Sequence, residues 1–160
     1  MAKKVKIKKT LVEQILSKAA IPHQGIQINA LEGELPQGYE RDQIFKTLAL
    51  LGDKTGPIIG IVPITQHLSE KKLAKISGNK KVSMIPQKDL EKTTGYIHGA
   101  NNPVGIRQKH NYHIFIDKIA LDLDRMIVSA GEVGYSIIVA PQDLASFVKA
   151  DFVDILEDIK

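Results

Sequence analysis

Residues 44–64 read IFKTLALLGDKTGPIIGIVPI, and this stretch decides the fold. Its two ends are apolar and rich in aliphatic side chains, whereas residues 53–56 (Asp-Lys-Thr-Gly) have the composition of a turn. We therefore predict a β-hairpin that has one strand over residues 43–51 and its partner over residues 58–64.

One lysine interrupts the apolar pattern of the first strand. Side chains alternate between the two faces of a strand, so Lys46 shares a face with Ile44 and Leu48. Phe45 and Thr47 lie on the opposite face. Two interpretations are open: the ammonium extends to solvent from a sheet edge, which general experience favours, or it lines a pocket and binds an anion or a carbonyl oxygen.

The remaining sequence predicts helices and short strands that interleave. Thr10 opens a capping-box pattern, and Pro22 stops the helix that follows it. Ser69 and Gly78 are typical residues for the two ends of a second helix. The predicted helices cover residues 11–20, 70–76, 87–93 and 141–148, and the further strands cover residues 25–28, 81–84, 113–116, 126–129 and 135–139.

The order of these elements indicates the fold class. Strands and helices do not alternate strictly, and the sequence contains no repeat, linker or low-complexity tract. Residues 30–39 and 95–105 are predicted to be loops. We predict a single α+β domain over residues 1–160, in which helices flank a curved, mostly antiparallel mixed sheet.

The composition excludes several classes of protein. The chain of 160 residues has no cysteine, so it has no disulfide, thiolate metal site or cysteine nucleophile. Its apolar runs are too short to span a bilayer, and its lysine-rich N-terminus is not followed by the apolar stretch of a secretory signal. We therefore expect a cytoplasmic protein that has no membrane partner.

Charge is divided unevenly along the chain. Residues 1–118 contain 19 Lys and Arg against 10 Asp and Glu, whereas residues 119–160 contain 3 against 8. A basic majority favours contact with a polyanion. The sequence has no pattern of a DNA-reading helix, and aromatic residues are too few for recognition of single-stranded RNA by stacking. We expect no DNA partner.

Residues 95–105 are the segment most typical of a functional site, because three glycines and a proline without periodicity indicate a structured loop. The lysine and Ser/Thr pair of a phosphate-binding loop is missing. His110 and His113 lack a third ligand at a recognisable spacing, and no catalytic triad is suggested. We therefore expect neither a metal nor a cofactor.

Three separated motifs resemble those of one enzyme family. They are Phe45-Lys-Thr-Leu48, then Thr94-Gly-Tyr-Ile-His-Gly99 with Pro103 and Gly105, then Val128-Ser-Ala-Gly131 with Gly134. In order and spacing they resemble the YbaK family of aminoacyl-tRNA deacylases, which includes the EbsC-named proteins. That family is related to the editing domain of bacterial prolyl-tRNA synthetases, and its YbaK branch removes cysteine from tRNA(Pro) and tRNA(Cys).

The resemblance implies a role for particular residues. Lys46 would orient the ester end of the substrate, and the loop around Gly99 would offer backbone N–H groups to its carbonyl. The cysteinyl thiol would attack its own ester and leave as a thiolactone, which is compatible with a chain without cysteine. The substrate-binding positions that it implies are Phe45, Thr47, Ala100, Asn101, Asn102, Ser129 and Ser136. The implied partners are the acceptor end of an aminoacyl-tRNA and, as a candidate, prolyl-tRNA synthetase.

Some positions depart from the family pattern. The usual Gly-Gly-x-Ser-Pro is Gly99-Ala-Asn-Asn-Pro103 here, and Ser136 stands where the YbaK branch commonly has aspartate. Two alternatives therefore stay open. The protein could remove another small amino acid, such as alanine, or it could be a non-catalytic module that binds tRNA or a synthetase.

Overall fold

The computed structural model describes residues 9–28, 35 and 38–158. Within them the chain forms five α-helices and eight β-strands, besides two 3₁₀ turns at Arg41–Gln43 and Lys118–Asp122. The helices are α1 (Leu11–Lys18), α2 (Glu70–Ser77), α3 (Gln87–Thr94), α4 (Pro103–Lys109) and α5 (Pro141–Val148). The strands are β1 (His23–Ile26), β2 (Phe45–Gly52), β3 (Gly56–Pro63), β4 (Val82–Met84), β5 (Ile114–Asp117), β6 (Met126–Glu132), β7 (Tyr135–Val139) and β8 (Asp151–Val153).

The strands form two sheets. One has the order β1-β7-β6 and is antiparallel throughout, and the other has the order β4-β2-β3-β5-β8. The second sheet is mixed, because β3 and β8 pair with β5 in parallel whereas β2 pairs with β3 and β4 antiparallel. A parallel bridge between Ile44 and Ile127 links the two sheets. The predicted α+β class with a mixed, mostly antiparallel arrangement is confirmed.

The predicted hairpin is the centre of the larger sheet. β2 and β3 pair along their whole length, from Phe45 opposite Pro63 to Gly52 opposite Gly56. Apolar side chains cover both faces of this sheet. One cluster packs against helices α1, α4 and α5 and the smaller sheet, and the other packs against α2. These two layers hold β2 in a fixed position.

Local capping signals fix the ends of two helices as the sequence predicts. Thr10 and Glu13 form a complete capping box at the start of α1. The Ser69 hydroxyl accepts a hydrogen bond from the Lys72 N–H at the start of α2, and Gly78 ends this helix in the left-handed conformation. These capping residues satisfy backbone groups that have no partner inside the helix, so the ends of both helices can be predicted from the sequence.

Two elements differ from the prediction. The loop predicted over residues 95–105 is wrong at its end, because α4 begins at Pro103 with Asn102 as its N-cap. A strand, β8, lies in the C-terminal segment, where no strand was predicted. It has three residues and pairs with β5, which is remote in sequence, so no local pattern indicates it. The loop predicted over residues 30–39 lies largely outside the described residues.

The membrane prediction can be compared with the helices. Among the residues that the structure describes, no helix combines the length and the apolar character that crossing a bilayer requires.

Candidate active site

A cleft of about 240 Å³ opens beside β2. Strand β4 pairs with residues 50–52 of β2 alone, so on this side the edge of residues 45–49 has no neighbouring strand in the described part of the chain. The cleft lies along this open edge and is closed by β4, α3, the turn before α4 and one residue of β6. It is lined by Phe45, Lys46, Thr47, Leu48, Ala49, Met84, Ile85, Gln87, Leu90, His98, Gly99, Asn101 and Ser129.

Lys46 lies in this cleft, as the pocket interpretation of the sequence predicts. Its side chain is half-buried, and burial lowers the pKa of its ammonium below the ordinary value for lysine. No carboxylate lines the cleft in the described part of the chain. The ammonium is therefore partly desolvated and has no anion to pair with among the described residues, which favours binding of an oxygen-rich ligand group.

A tight turn places Gly99 in the same lining as Lys46. The Ala100 N–H donates to the Ile97 carbonyl oxygen at 3.0 Å, and Gly99 has φ +89°. A positive φ at the third residue is the type II arrangement, which favours glycine. A Cβ built on Gly99 would meet the Val133 side chain at 3.5 Å, an ordinary contact. Backbone conformation, and not space, is what requires glycine here.

Side chains from other elements hold this turn in place. The Ser129 hydroxyl donates to the Gly99 carbonyl oxygen at 3.3 Å. Farther along the loop, the Tyr96 ring packs so closely on Gly105 that a Cβ there would lie 1.8 Å from the tyrosine oxygen. The Lys109 ammonium lies 4.4 Å from the centre of the Tyr96 ring. The glycine and tyrosine of this motif therefore have a packing role.

Asn101 connects the turn to the open edge of β2. Its side-chain N–H group donates to the Thr47 carbonyl oxygen at 2.9 Å, a bond that the backbone N–H of a neighbouring strand would otherwise make. Its Oδ1 atom and the Thr47 Oγ1 atom are buried without a hydrogen-bond partner among the described residues. Since buried polar groups are nearly always paired, these two atoms leave hydrogen-bonding capacity in the wall of the cleft.

Three of the residues implied by the family resemblance are not brought to the cleft. Ala100 is the last residue of the turn, and it is buried outside the cleft lining. Asn102 is fully buried, and its Oδ1 atom accepts from the Gly105 N–H at 2.6 Å as the N-cap of α4. The Ser136 hydroxyl donates to the Ile28 carbonyl oxygen at 2.9 Å. The structure thus places these residues in supporting positions, and the substrate contact predicted for them has no geometric support.

The sequence interpretation missed His98 as a candidate site residue. This exposed histidine lines the cleft directly before Gly99. The available signal was its place inside the motif of residues 94–99. The apolar side of the cleft, formed by Leu48, Met84 and Leu90, was also not predicted.

His110 and His113, which were considered as metal ligands from the sequence, contact an aromatic ring and a carboxylate instead. His110 stacks on Tyr112, and the Nε2 atom of His113 contacts the Asp151 carboxylate. In the described ranges no group of three or more His, Asp or Glu residues is placed to hold a metal ion.

Comparison with known proteins identifies the family. Residues 33–147 match the model of the aminoacyl-tRNA editing domain, which covers more than half of the chain. The Enterococcus faecalis (strain ATCC 700802 / V583) protein named "Putative Cys-tRNA(Pro)/Cys-tRNA(Cys) deacylase EbsC" is 38% identical over 162 residues. The match covers 97% of this chain and 98% of that protein.

Solved structures have the same fold. A chain from work described as "Epitope backbone grafting by computational design for improved presentation of linear epitopes on scaffold proteins" has a TM-score of 0.79 at 22% identity, with 92% of this chain and 96% of that chain covered. A "putative trans-editing enzyme for prolyl tRNA synthetase" has a TM-score of 0.67 at 19% identity, with 94% and 82% covered. The extent of the family match and the near full-length relative together show that this chain belongs to the aminoacyl-tRNA editing domain family.

Proposed function

We propose that this protein removes cysteine from mischarged tRNA(Pro), and also from Cys-tRNA(Cys), as a free-standing editing deacylase. The observation that carries the proposal is the cleft, in which the unpaired ammonium of Lys46 and the turn at Gly99 lie on the same lining. The printed name of the Enterococcus faecalis relative supports the choice of cysteine. The need for such an enzyme is physical, because a pocket shaped for proline cannot strongly reject a residue of similar volume.

The chemistry follows from what the cleft contains. Lys46 would bind the ester carbonyl or a neighbouring phosphate oxygen, and backbone N–H groups near Gly99 would stabilise negative charge on the carbonyl oxygen. The chain has no cysteine, the Ser129 hydroxyl of the lining donates to the Gly99 carbonyl oxygen, and the Thr47 hydroxyl oxygen is buried away from the open cleft. The substrate thiol is therefore the best nucleophile, since it lies within intramolecular reach of its own ester.

The positions that depart from the family motif do not argue against activity. Asn102 caps α4 through its side-chain oxygen, which is a role that a serine at this position performs equally well. Ala100 and Ser136 lie outside the cleft lining. The catalytic features of the cleft are thus independent of these substitutions, and this favours an enzyme over a non-catalytic binding module.

The acceptor end of tRNA would approach over the basic surface beside the cleft. Lys81 precedes β4 and Lys88 follows Gln87 of the lining, and both side chains are exposed. In the described part of the chain neither of these lysines makes an ion pair, so both are available to phosphates. We also propose that prolyl-tRNA synthetase assists the choice of tRNA.

The test uses purified protein with tRNA(Pro) that carries labelled cysteine, alanine or proline. We expect rapid loss of cysteine and no loss of proline, and blocking the substrate thiol should stop the reaction. Loss of alanine at the rate of cysteine would show a broader small-residue deacylase in which water attacks. No loss from any of the three would support the non-catalytic alternative. Addition of prolyl-tRNA synthetase should lower KM if the synthetase assists the choice of tRNA.

A further inference from the structure

Two ionisable side chains, Lys46 and His98, line the cleft in the part of the chain that the structure describes. Lys46 is half-buried, whereas His98 is exposed and can exchange protons with solvent. An imidazole is the side chain that gains and loses a proton near neutral pH. His98 is therefore the lining residue best suited to proton transfer.

The turn fixes the position of His98 relative to Gly99. The hydrogen bond from the Ala100 N–H to the Ile97 carbonyl oxygen makes His98 the second residue of the turn and Gly99 the third. The conformation of Gly99, with φ +89°, sets the direction of both neighbouring peptide units. The imidazole is thus attached one residue from the glycine that would receive the substrate carbonyl.

The proposed reaction includes two proton transfers for which the residues discussed above supply no group. The thiol must lose its proton as the sulfur attacks, and the ribose oxygen must gain one as it leaves. The Lys46 ammonium is a donor that has no free electron pair, so it cannot take the thiol proton. A neutral imidazole can accept this proton and return it.

We propose that His98 is the general base and general acid of thiolactone formation, an inference that rests on the function proposed above. Its neutral imidazole accepts the thiol proton while sulfur bonds to the carbonyl carbon. The imidazolium then donates this proton to the ribose oxygen while the C–O bond breaks. The products are tRNA with a free hydroxyl and a cyclic thiolactone, and the imidazole is again neutral, so no further reactant is consumed.

The need for a neutral base sets the direction of the pH dependence. An imidazole that already carries a second proton has no free electron pair and cannot take the thiol proton. Turnover by the wild type should therefore fall in acidic solution.

The test is a pH profile of single-turnover cleavage of Cys-tRNA(Pro) by the wild type, His98→Gln and His67→Gln. His67 is an exposed histidine outside the cleft lining, so its substitution is the matched control. We expect the wild-type rate to depend on pH less steeply than the rate of His98→Gln, because a base is present in the wild type alone. The His98→Gln rate should be about 10²-fold lower at pH 7 and should rise toward the thiol pKa of about 8.5, since thiolate is then the only attacking species. The control should match the wild type.

A second measurement separates catalysis from folding. Free imidazole should restore part of the turnover of His98→Ala, because it can occupy the vacated space and exchange protons. A His98→Gln rate equal to the wild-type rate would overturn the proposal. The proposal would also be overturned if His98→Gln were slower but had the pH profile of the wild type, and if imidazole did not restore turnover to His98→Ala. If wild-type protein does not cleave Cys-tRNA(Pro) at all, the function proposed above fails, and the role of His98 fails with it.

Discussion

Two asparagines that are buried to the same degree show how the hairpin turn and the cleft differ. Asn79 is 8% exposed and Asn101 is 7% exposed. The Asn79 side chain accepts from the N–H groups of Lys54 and Thr55 and donates to the hydroxyls of Thr55 and Ser77. Asn101 makes one bond, to the Thr47 carbonyl oxygen, and its Oδ1 atom has no partner among the described residues.

The difference separates a structural region from a functional one. An unpaired buried polar group costs about 1–3 kcal/mol, so a protein rarely keeps one without a reason. Beside the hairpin turn, the Asn79 side-chain oxygen and nitrogen both have their full number of hydrogen bonds. Among the described residues, the cleft keeps unpaired side-chain oxygens at Asn101 and Thr47 and a partly desolvated ammonium at Lys46, and this ammonium can bind an oxygen atom of a ligand. Substitutions in the cleft should therefore change activity, and substitutions beside the turn should change stability.

The largest expected effect is that of Lys46→Ala. The ammonium has no partner among the described residues of the cleft, so its removal should leave the free energy of unfolding nearly unchanged. It should lower kcat/KM for Cys-tRNA(Pro) by about 10²- to 10³-fold, since it removes a donor to the substrate oxygen. Urea unfolding and single-turnover kinetics measure the two quantities. Wild-type turnover in the variant would remove Lys46 from the site and revive the interpretation that it only extends to solvent.

A smaller loss is expected from Gly99→Ala. A methyl group finds enough space, but the backbone must keep φ near +89°, which is strained for alanine. A shift of the turn would misalign the N–H groups near the carbonyl and lower kcat by about 10²-fold. Ala100→Gly is the matched control, because the neighbouring side chain is buried outside the cleft lining. Equal losses in both variants would mean that the turn only supports the fold.

The third prediction concerns Asn79, where we expect a loss of stability without a loss of activity. Asn79→Ala removes four hydrogen bonds and leaves two backbone N–H groups without their acceptor, so it should lower the free energy of unfolding by about 1–3 kcal/mol. Turnover per folded molecule should not change. Asn101→Ala should lower activity more than stability. If both variants lose turnover and stability in the same proportion, the difference in hydrogen bonding between Asn79 and Asn101 does not separate a structural residue from a functional one.

The sequence predicts those parts of the fold that depend on neighbouring residues. The turn of residues 53–56 and the caps of α2 at Ser69 and Gly78 are local signals, and the structure confirms them. The start of α4 was missed because Asn102 and Pro103 follow a glycine-rich segment that has no helical period. Strand β8 was missed because its three residues are defined by pairing with β5 and not by their own pattern.

The site, like the fold, was predictable where local sequence signals define it and not where residues remote in sequence meet. Strand alternation identifies Lys46 as unusual but cannot show whether it meets solvent or a pocket, since that depends on where β4 stops pairing with β2. Family motifs indicated Gly99 and Ser129, which do line the cleft. They could not show that Ser136 bonds to the Ile28 carbonyl oxygen instead. Side-chain direction within a turn has no period, so His98 was not recognised.

The smallest expected effect is a shift in the alkaline limb of substrate binding. Burial lowers the pKa of Lys46, so its ammonium loses its proton at a lower pH than an exposed lysine does. Affinity for an amide-linked, uncleavable Cys-tRNA(Pro) analogue should therefore fall with rising pH before ordinary lysines titrate. Lys46→Arg stays charged throughout this range and should lose that limb. The amine and thiol of the analogue titrate equally with both proteins, so the difference between the two profiles isolates residue 46. Superimposable profiles would show that the ammonium does not bind the substrate, and that Lys46, like Asn79 beside the hairpin turn, has no role in activity.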